Sequence, residues 1–300
     1  MEEVEAFRQH LELRGLAPAT IARHCYTLQR YSSWCTEQGY DLTKAREEDL
    51  LAYLSLLRSK KMLPTSLQQT FSSLSVYFVW LVRKKRISVN PVPEIREFYL
   101  KSYKVESRHR QLISIEDAAK MISSTMNARD KAILFLLFKT GIRRNELISL
   151  DVSDVDQEDM RITLKPTGKR SNKIVFFDEE AKRALLRWLK IREARKPITP
   201  ALFLNEKNGR LGPNGVDSRV VEAAIRAGLH DQDSRKLEDK FGPHCCRHWF
   251  TTHLRRAGMP REFIQELRGD VRREAIDIYD HIDVEELRKS YLAHVPQLGV

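Results

Sequence analysis

Through the first eighty or so residues, apolar side chains recur every three or four positions, the period of an α-helix that buries one face. Val4, Phe7 and Leu11 mark a first helix, which stops at Gly15, where a residue without Cβ can take the left-handed cap. Pro18 suits the first turn of a second helix carrying Ile21, Cys25, Leu28, Tyr31 and Cys35, and Gly39 ends it. A third helix is predicted from about Arg46. Pro64 opens a long fourth one with Leu67, Phe71, Leu74, Phe78 and Leu81 on one face. It ends in the run RKKR at 83–86, and basic side chains complement the negative end of a helix dipole.

The second half changes pattern. Ser114, with Asp117 three residues on, resembles an N-cap signature, and a helix follows to about Thr125. KAILFLLFKTG is apolar nearly all round, which predicts a buried helix. MRITL and KIVFF are β-rich runs joined by KPTGKRSN and read as a two-stranded hairpin; from Glu179 the helical period returns. Leu287, Tyr291, Val295 and Leu298 predict a last helix ending near Pro296. The expected fold class is mainly α, with a small antiparallel β-sheet in the second part.

A chain of 300 residues, 42% of them hydrophobic, is more comfortably two domains than one. Lys and Arg number 52 against 41 Asp and Glu, a formal charge of +11, which favours a polyanion and makes nucleic acid the default partner. No apolar run approaches the roughly 20 residues of a membrane span. The start, MEEVEAF, lacks the basic and apolar regions of a signal peptide, so the cytoplasm is the expected location. Cys25, Cys35 and the adjacent pair Cys245 and Cys246 have no disulfide-framework spacing and read as free thiols. Nine Lys or Arg against three Glu between Arg83 and Arg110, interrupted by Pro91 and Pro93, suggest the domain boundary. The expected division is a helical domain at 1–90, a basic linker at 91–110 and a second domain at 111–300. The basic run, with Arg83, Lys84, Lys85 and Arg86, is either solvated or a strap lying on DNA phosphates.

Three segments carry candidate chemistry. In PHCCRHWFTTHL, His244 and Arg247 lie three apart on one helical face, and a cation fork beside an imidazole at a helix start suits a phosphate that is both held and protonated. His244, Cys245, His248 and His253 are also metal-ligand types, but no second ligand pair appears elsewhere, so no metal site and no cofactor are expected. In KTGIRRNELISL, Arg143 emerges just after Gly141 ends a buried helix, and Glu146 can orient its guanidinium, cap a short helix, or both. In RGDVRREAIDIYDHI, Tyr279 is one of nine tyrosines and is singled out only by the combined pattern.

TGIRRNEL, a hairpin lysine, PHCCRH, and Gly269 ten residues before Tyr279 stand in an order and spacing that resembles the tyrosine recombinase and integrase family, Xer-type recombinases and phage integrases included. GLAPATIARHCYTLQRYSSWC in the first third also looks like that family's helical, SAM-like core-binding domain. The resemblance implies a mostly helical catalytic domain that cleaves and rejoins double-stranded DNA. By it, Arg143 and Arg247 clamp the scissile phosphate, His244 assists proton transfer, and Tyr279 is the nucleophile that forms a 3′-phosphotyrosyl ester. Glu146 and His248 support these side chains. The general acid is a hairpin lysine: Lys169 best keeps the distance to the second strand, while Lys165 resembles the lysine before Thr-Gly in phage integrases. The family commonly docks its C-terminal region on a neighbouring protomer, in a tetramer on paired DNA sites.

One position departs from that pattern. Where the family usually has His or Trp, nine residues before the tyrosine, this chain has Asp270, which cannot donate as histidine does. Arg268, Arg272 and Arg273 are near it in sequence, so Asp270 is expected to orient a cation or accept a hydrogen bond. The alternatives are a family member that holds DNA with weakened catalysis, or a topoisomerase-like or transposase enzyme using the same chemistry.

Overall fold

In the computed structural model, residues 2–44, 46–101, 111–166, 172–234, 236–270 and 282–300 are described. The chain divides into two compact units, Met1–Ser107 and Arg108–Val300.

The first unit is built on helices α1 (Glu2–Leu13), α2 (Pro18–Gln38), α3 (Glu47–Ser59) and α4 (Pro64–Arg83). Each of the apolar positions named above in these helices is buried. Gly39 ends α2 at φ 73°, the left-handed conformation that a residue without Cβ takes without strain. Tyr31 lies at the centre of an aromatic cluster, with ring centroids 5.0 Å from Tyr53, 5.8 Å from Trp34 and 6.2 Å from Phe78.

The expected linker over 91–110 needs correction. Val92–Ile95 forms a short helix, α5, that continues through wider π-type turns over Arg96–Leu100. Val92, Ile95 and Leu100 are buried in the first unit's core. A proline stops a helix only beyond its first turn. Here Pro91 is the N-cap and Pro93 lies within the first turn, where a missing N–H breaks no helical bond. Residues 102–110, the rest of that linker, lie outside the described residues.

In the second unit, α6 (Ile115–Ser123) starts on the expected cap: the Ser114 hydroxyl accepts from Asp117 N–H at 3.0 Å. Helix α7 (Ala128–Thr140) is buried over almost its whole length and packs against α6, α9 (Glu179–Ala194), α10 (Pro213–Ala227) and α11 (Pro243–Arg256). The short α8 (Arg144–Ser149), α12 (Arg261–Arg268) and α13 (Val284–His294) complete the α-helices described in this unit. The sheet has three strands in the order β1 (Val155–Asp156), β2 (Arg161–Thr163) and β3 (Ile174–Phe176), all antiparallel. The expected hairpin is β2–β3, with Ile162 opposite Val175. Strand β1 is an addition, since two residues show no period to read.

Lys139, in the last turn of α7, is fully buried. Its ammonium donates to Asp178 Oδ2 at 2.6 Å, Glu180 Oε2 at 2.5 Å and the Pro296 carbonyl at 2.6 Å. Glu180 also accepts from the N–H groups of Leu298 and Gly299. Burial alone would raise the Glu180 pKa, but Lys139 and these N–H groups outweigh it and hold the carboxyl below its usual range. The C-terminal tail is thereby fastened to its own unit. Leu287, Tyr291, Val295 and Leu298 are all in that unit's core. The helix ends at His294, and Val295 and Leu298 reach the core from the tail beyond it.

Candidate active site

Helix α7 ends on Gly141 at φ 59°, and a Cβ there would lie 2.3 Å from Cδ1 of Phe250 on α11. The glycine therefore serves two ends: it reverses the chain into α8 and it lets α11 pack against the turn. Its carbonyl accepts from Arg247 Nη1 at 2.7 Å, which places the α11 guanidinium beside the segment that carries Arg143.

Arg143 is the N-cap of α8. Its backbone N–H donates to Glu146 Oε2 at 2.7 Å and its Nη1 donates to Glu146 Oε1 at 2.9 Å. One buried carboxylate thus caps the helix and aims the guanidinium, both of the tasks the sequence allowed it. Arg247 is itself buried, and its Nη2 donates to the Arg268 carbonyl at 2.9 Å. Burial, and then the charges of Arg143 and Arg268, pull its pKa down to about 10, against the opposing pull of Asp270 and Glu146. It remains a cation at neutral pH.

Asp270 follows Gly269, whose φ of 61° turns the chain back at the end of α12. Asp270 Oδ1 lies 3.4 Å from Arg247 Nη2 and 3.8 Å from Arg143 Nη2, while Oδ2 lies 3.1 Å from Arg268 Nε. Among the described residues, three guanidinium groups here lie around two carboxylates, Glu146 and Asp270, so the cluster is rich in cations. Such a cluster suits a tetrahedral oxyanion.

His244 is exposed at the start of α11 and shares an open cleft of about 480 Å³ with Arg143 and Arg247. His248 is exposed one turn later. The other candidate ligands of that segment point elsewhere: Cys245 and Cys246 are buried, and His253 Nε2 faces the Ile113 carbonyl at 3.2 Å. Among the described residues, no three His, Cys, Asp or Glu side chains converge as a metal ion would need.

Two of the expected chemical groups, Tyr279 and Lys169, lie outside the described residues. Lys165 is described: its ammonium pairs with Asp151 Oδ2 at 2.5 Å, and Asp151 also pairs with Arg210. Asn172, three residues after Lys169, donates to the Ile174 carbonyl at 2.8 Å and the Glu266 carbonyl at 3.3 Å. This ties the foot of the hairpin to α12, two residues before Arg268. Tyr291, the other tyrosine near the C-terminus of the sequence, is fully buried with its hydroxyl donating to the Lys139 carbonyl at 3.0 Å. Burial pushes that phenol well above its usual pKa, so Tyr291 is a packing residue and no nucleophile. In the basic run, Arg83, Lys84, Lys85 and Arg86 are all exposed, and Arg86 is committed to Glu3 at 2.7 Å, which joins the end of α4 to α1.

In the sequence Arg268 is only a charge near Asp270, and no motif marks the ion pair of Arg144 with Asp217 on α10, both of which line the cleft. The adjacent Arg143–Arg144 pair was the available signal for the second; for the first it was the Arg-Gly-Asp order, in which a left-handed glycine folds cation and anion together.

Fold and cleft define a mainly helical protein of two units, with a cleft on the second lined by Arg143, Arg144, His244 and Arg247. Residues 107–286 match the phage integrase family, and residues 4–87 match the phage integrase N-terminal SAM-like domain. The tyrosine recombinase XerC of Actinobacillus pleuropneumoniae serotype 7 (strain AP76) is 31% identical over 229 residues, covering 75% of this chain and 70% of the relative. The tyrosine recombinase XerC of Bacillus subtilis (strain 168) is 26% identical over 305 residues, covering 98% and 96%. Among solved structures, a lambda integrase dimer bound to a COC′ core site superposes with a TM-score of 0.69 at 17% identity, over 94% of this chain and 98% of that one. The Tn1549 transposon integrase in complex with circular intermediate DNA gives 0.68 at 19% identity, over 96% and 98%. The chain belongs to the phage integrase family, the tyrosine recombinases.

Proposed function

We propose that this chain is a site-specific DNA recombinase that cleaves and rejoins duplex DNA through a 3′-phosphotyrosyl intermediate at Tyr279. The observation that carries the reading is the convergence of Arg143 Nη2 and Arg247 Nη2 on one carboxylate oxygen, at 3.8 and 3.4 Å, in a cleft shared with His244. A scissile phosphate in that cleft would meet the same two guanidinium groups, with Asp270 behind them. Two planar guanidinium forks satisfy several phosphate oxygens and gain most where charge grows, in the pentacoordinate transition state. The Tyr279 oxygen attacks phosphorus as its proton passes by way of His244, the bond to the 5′-oxygen breaks, and Lys169 protonates that leaving oxygen. The ester keeps the energy of the broken phosphodiester, so the free 5′-hydroxyl of another strand can reverse the step. Glu146 and His248 support the cations and the imidazole, and Asp270 orients Arg247 and Arg268.

Double-stranded DNA is the partner, and the functional assembly is a homotetramer on paired sites in the cytoplasm. The test is incubation with nicked suicide substrates followed by denaturing gels. A covalent adduct with the wild type that disappears in Tyr279→Phe is expected. An adduct that persists in the mutant would move the nucleophile elsewhere, and binding without any adduct would reduce the chain to a DNA-holding member of its family.

A further inference from the structure

Arg268 has no task in the two-arginine site, yet its Nε lies 3.1 Å from the second oxygen of the carboxylate whose first oxygen meets Arg143 and Arg247. Gly269 N–H donates to the Glu266 carbonyl at 2.8 Å and Asp270 N–H to the Gln265 carbonyl at 3.2 Å, so the end of α12 folds residue 270 back on itself. The Asp270 carboxylate then divides its oxygens, Oδ1 toward Arg143 and Arg247 and Oδ2 toward Arg268 at 3.1 Å. A carboxylate and a phosphodiester share one negative charge and two outward oxygens. Guanidinium groups gathered around the one are therefore also suited to the other, bound beside it in the cleft. We propose that Arg268 is a third phosphate-contacting residue of this active site, with Asp270 as the positioning residue that holds its guanidinium beside the cleft.

This assignment rests on the recombinase reading above. The charge of Arg268 is already felt at Arg247, where it ranks with that of Arg143 among the causes of the lowered pKa. A phosphodiester gains negative charge on the way to a pentacoordinate phosphorane, and each cation beside it lowers that barrier further. A third cation thus stabilises the transition state more than the bound ground state. Substitution of Arg268 should lower the rate of strand cleavage and leave DNA affinity nearly unchanged. Its carbonyl, which accepts from Arg247 Nη2, survives any side-chain change, so the test separates the guanidinium from that support.

The experiment is single-turnover cleavage of a suicide duplex by the full chain, on two substrates. One has the natural scissile phosphodiester; the other has a methylphosphonate there, in which a methyl group replaces one charged oxygen. Arg268→Gln should slow phosphodiester cleavage on the order of 100-fold, with DNA affinity within about threefold and little loss on the neutral methylphosphonate. Asp270→Asn should give a smaller loss of the same selectivity. Equal losses on both substrates would make Arg268 a packing residue and overturn the assignment, as would wild-type cleavage by Arg268→Gln. Should that variant fold poorly, Arg268→Lys carries the same comparison, because its loss must again be larger on the charged substrate. Absence of an adduct from the wild type itself would overturn the recombinase reading and this assignment together.

Discussion

Arg247 Nη1 donates to the carbonyl of Gly141 at 2.7 Å, across 106 residues of sequence. That bond fixes the orientation of a buried cation by a backbone group, and the backbone group is oriented in turn by a left-handed glycine. The turn after α7 therefore sets both arginines at once: Arg143 by continuity of the chain and Arg247 by this contact.

Gly141→Ala should accordingly damage fold and site together. The new Cβ meets the Phe250 ring at 2.3 Å and the backbone sits at φ 59°, so the overlap and the left-handed conformation are both unfavourable. We expect a loss of about 2–4 kcal/mol in chemical denaturation. The covalent adduct on suicide DNA should fall further than this instability explains. Wild-type stability would show that the turn relaxes without moving α11.

Glu146 is buried and accepts from both the N–H and the guanidinium of Arg143. Glu146→Ala leaves those donors without their shared acceptor and is expected to cost about 1–3 kcal/mol of stability. Adduct formation should drop roughly 10–100-fold, the range usual for a residue that orients a functional group. Glu146→Gln keeps one acceptor oxygen and should fall between. Equal rates for all three proteins would show that Arg143 is held by other means.

Lys139 has its three ammonium donors met by two carboxylates and a carbonyl, all in the interior. Lys139→Met removes the cation and strands two buried anions, at an expected cost of about 3–5 kcal/mol. The loss should be visible in denaturant unfolding of the second unit and accompanied by faster proteolysis of the C-terminal tail, since Glu180 also binds Leu298 and Gly299. A tail that stays protected in Lys139→Met would show that the apolar contacts of Val295 and Leu298 suffice.

Much of this was legible in the sequence. Helices with one buried face and a Gly or Pro at the end, such as α2 between Pro18 and Gly39, announce both their period and their limits. The family motifs also placed Arg143, His244 and Arg247, which the fold gathers in one cleft. What stayed hidden depends on partners far along the chain or on elements too short to have a period. The Lys139 cluster joins residues 39, 41 and 157 positions apart, and before folding Lys139 reads as the basic end of an apolar helix. Helix α5 has four residues and β1 has two. Arg268 could not be assigned because its direction is set by the left-handed Gly269 and by the carboxylate beyond it.

Two buried histidines give the fold a pH dependence. His24 and His253 have pKa values lowered from the ordinary 6.5, in both cases first by burial and then by nearby arginines, although the Ile113 carbonyl pulls His253 the other way. Folded, each binds fewer protons below that value than it does unfolded, so acid favours the unfolded chain. Stability is complete above about pH 6.5 and should decline as the pH falls from there through the lowered folded pKa values. Urea unfolding between about pH 7 and pH 5 measures it, and His24→Gln and His253→Gln should each flatten the decline in their own unit. A decline confined to the region below about pH 4.5, where carboxylates titrate, would assign the effect to those groups instead.

The basic run at the end of α4 divides by its contacts. Arg86 is paired with Glu3 at 2.7 Å, and the Tyr77 hydroxyl donates to the same carboxylate at 3.0 Å, so Arg86 closes α4 onto α1. Arg86→Ala should cost roughly 1 kcal/mol in the first unit and change the salt dependence of DNA binding little. Lys84 and Lys85 are exposed with no carboxylate partner among the described residues. If they contact phosphates, Lys84→Ala and Lys85→Ala should each lower the slope of log K against log salt by about 1, because a phosphate that the lysine no longer neutralises keeps its counterion. Filter binding or fluorescence anisotropy over a salt series reads this directly. A slope unchanged in the double variant would return the whole run to the solvated surface and place the DNA contacts of the first unit on other residues.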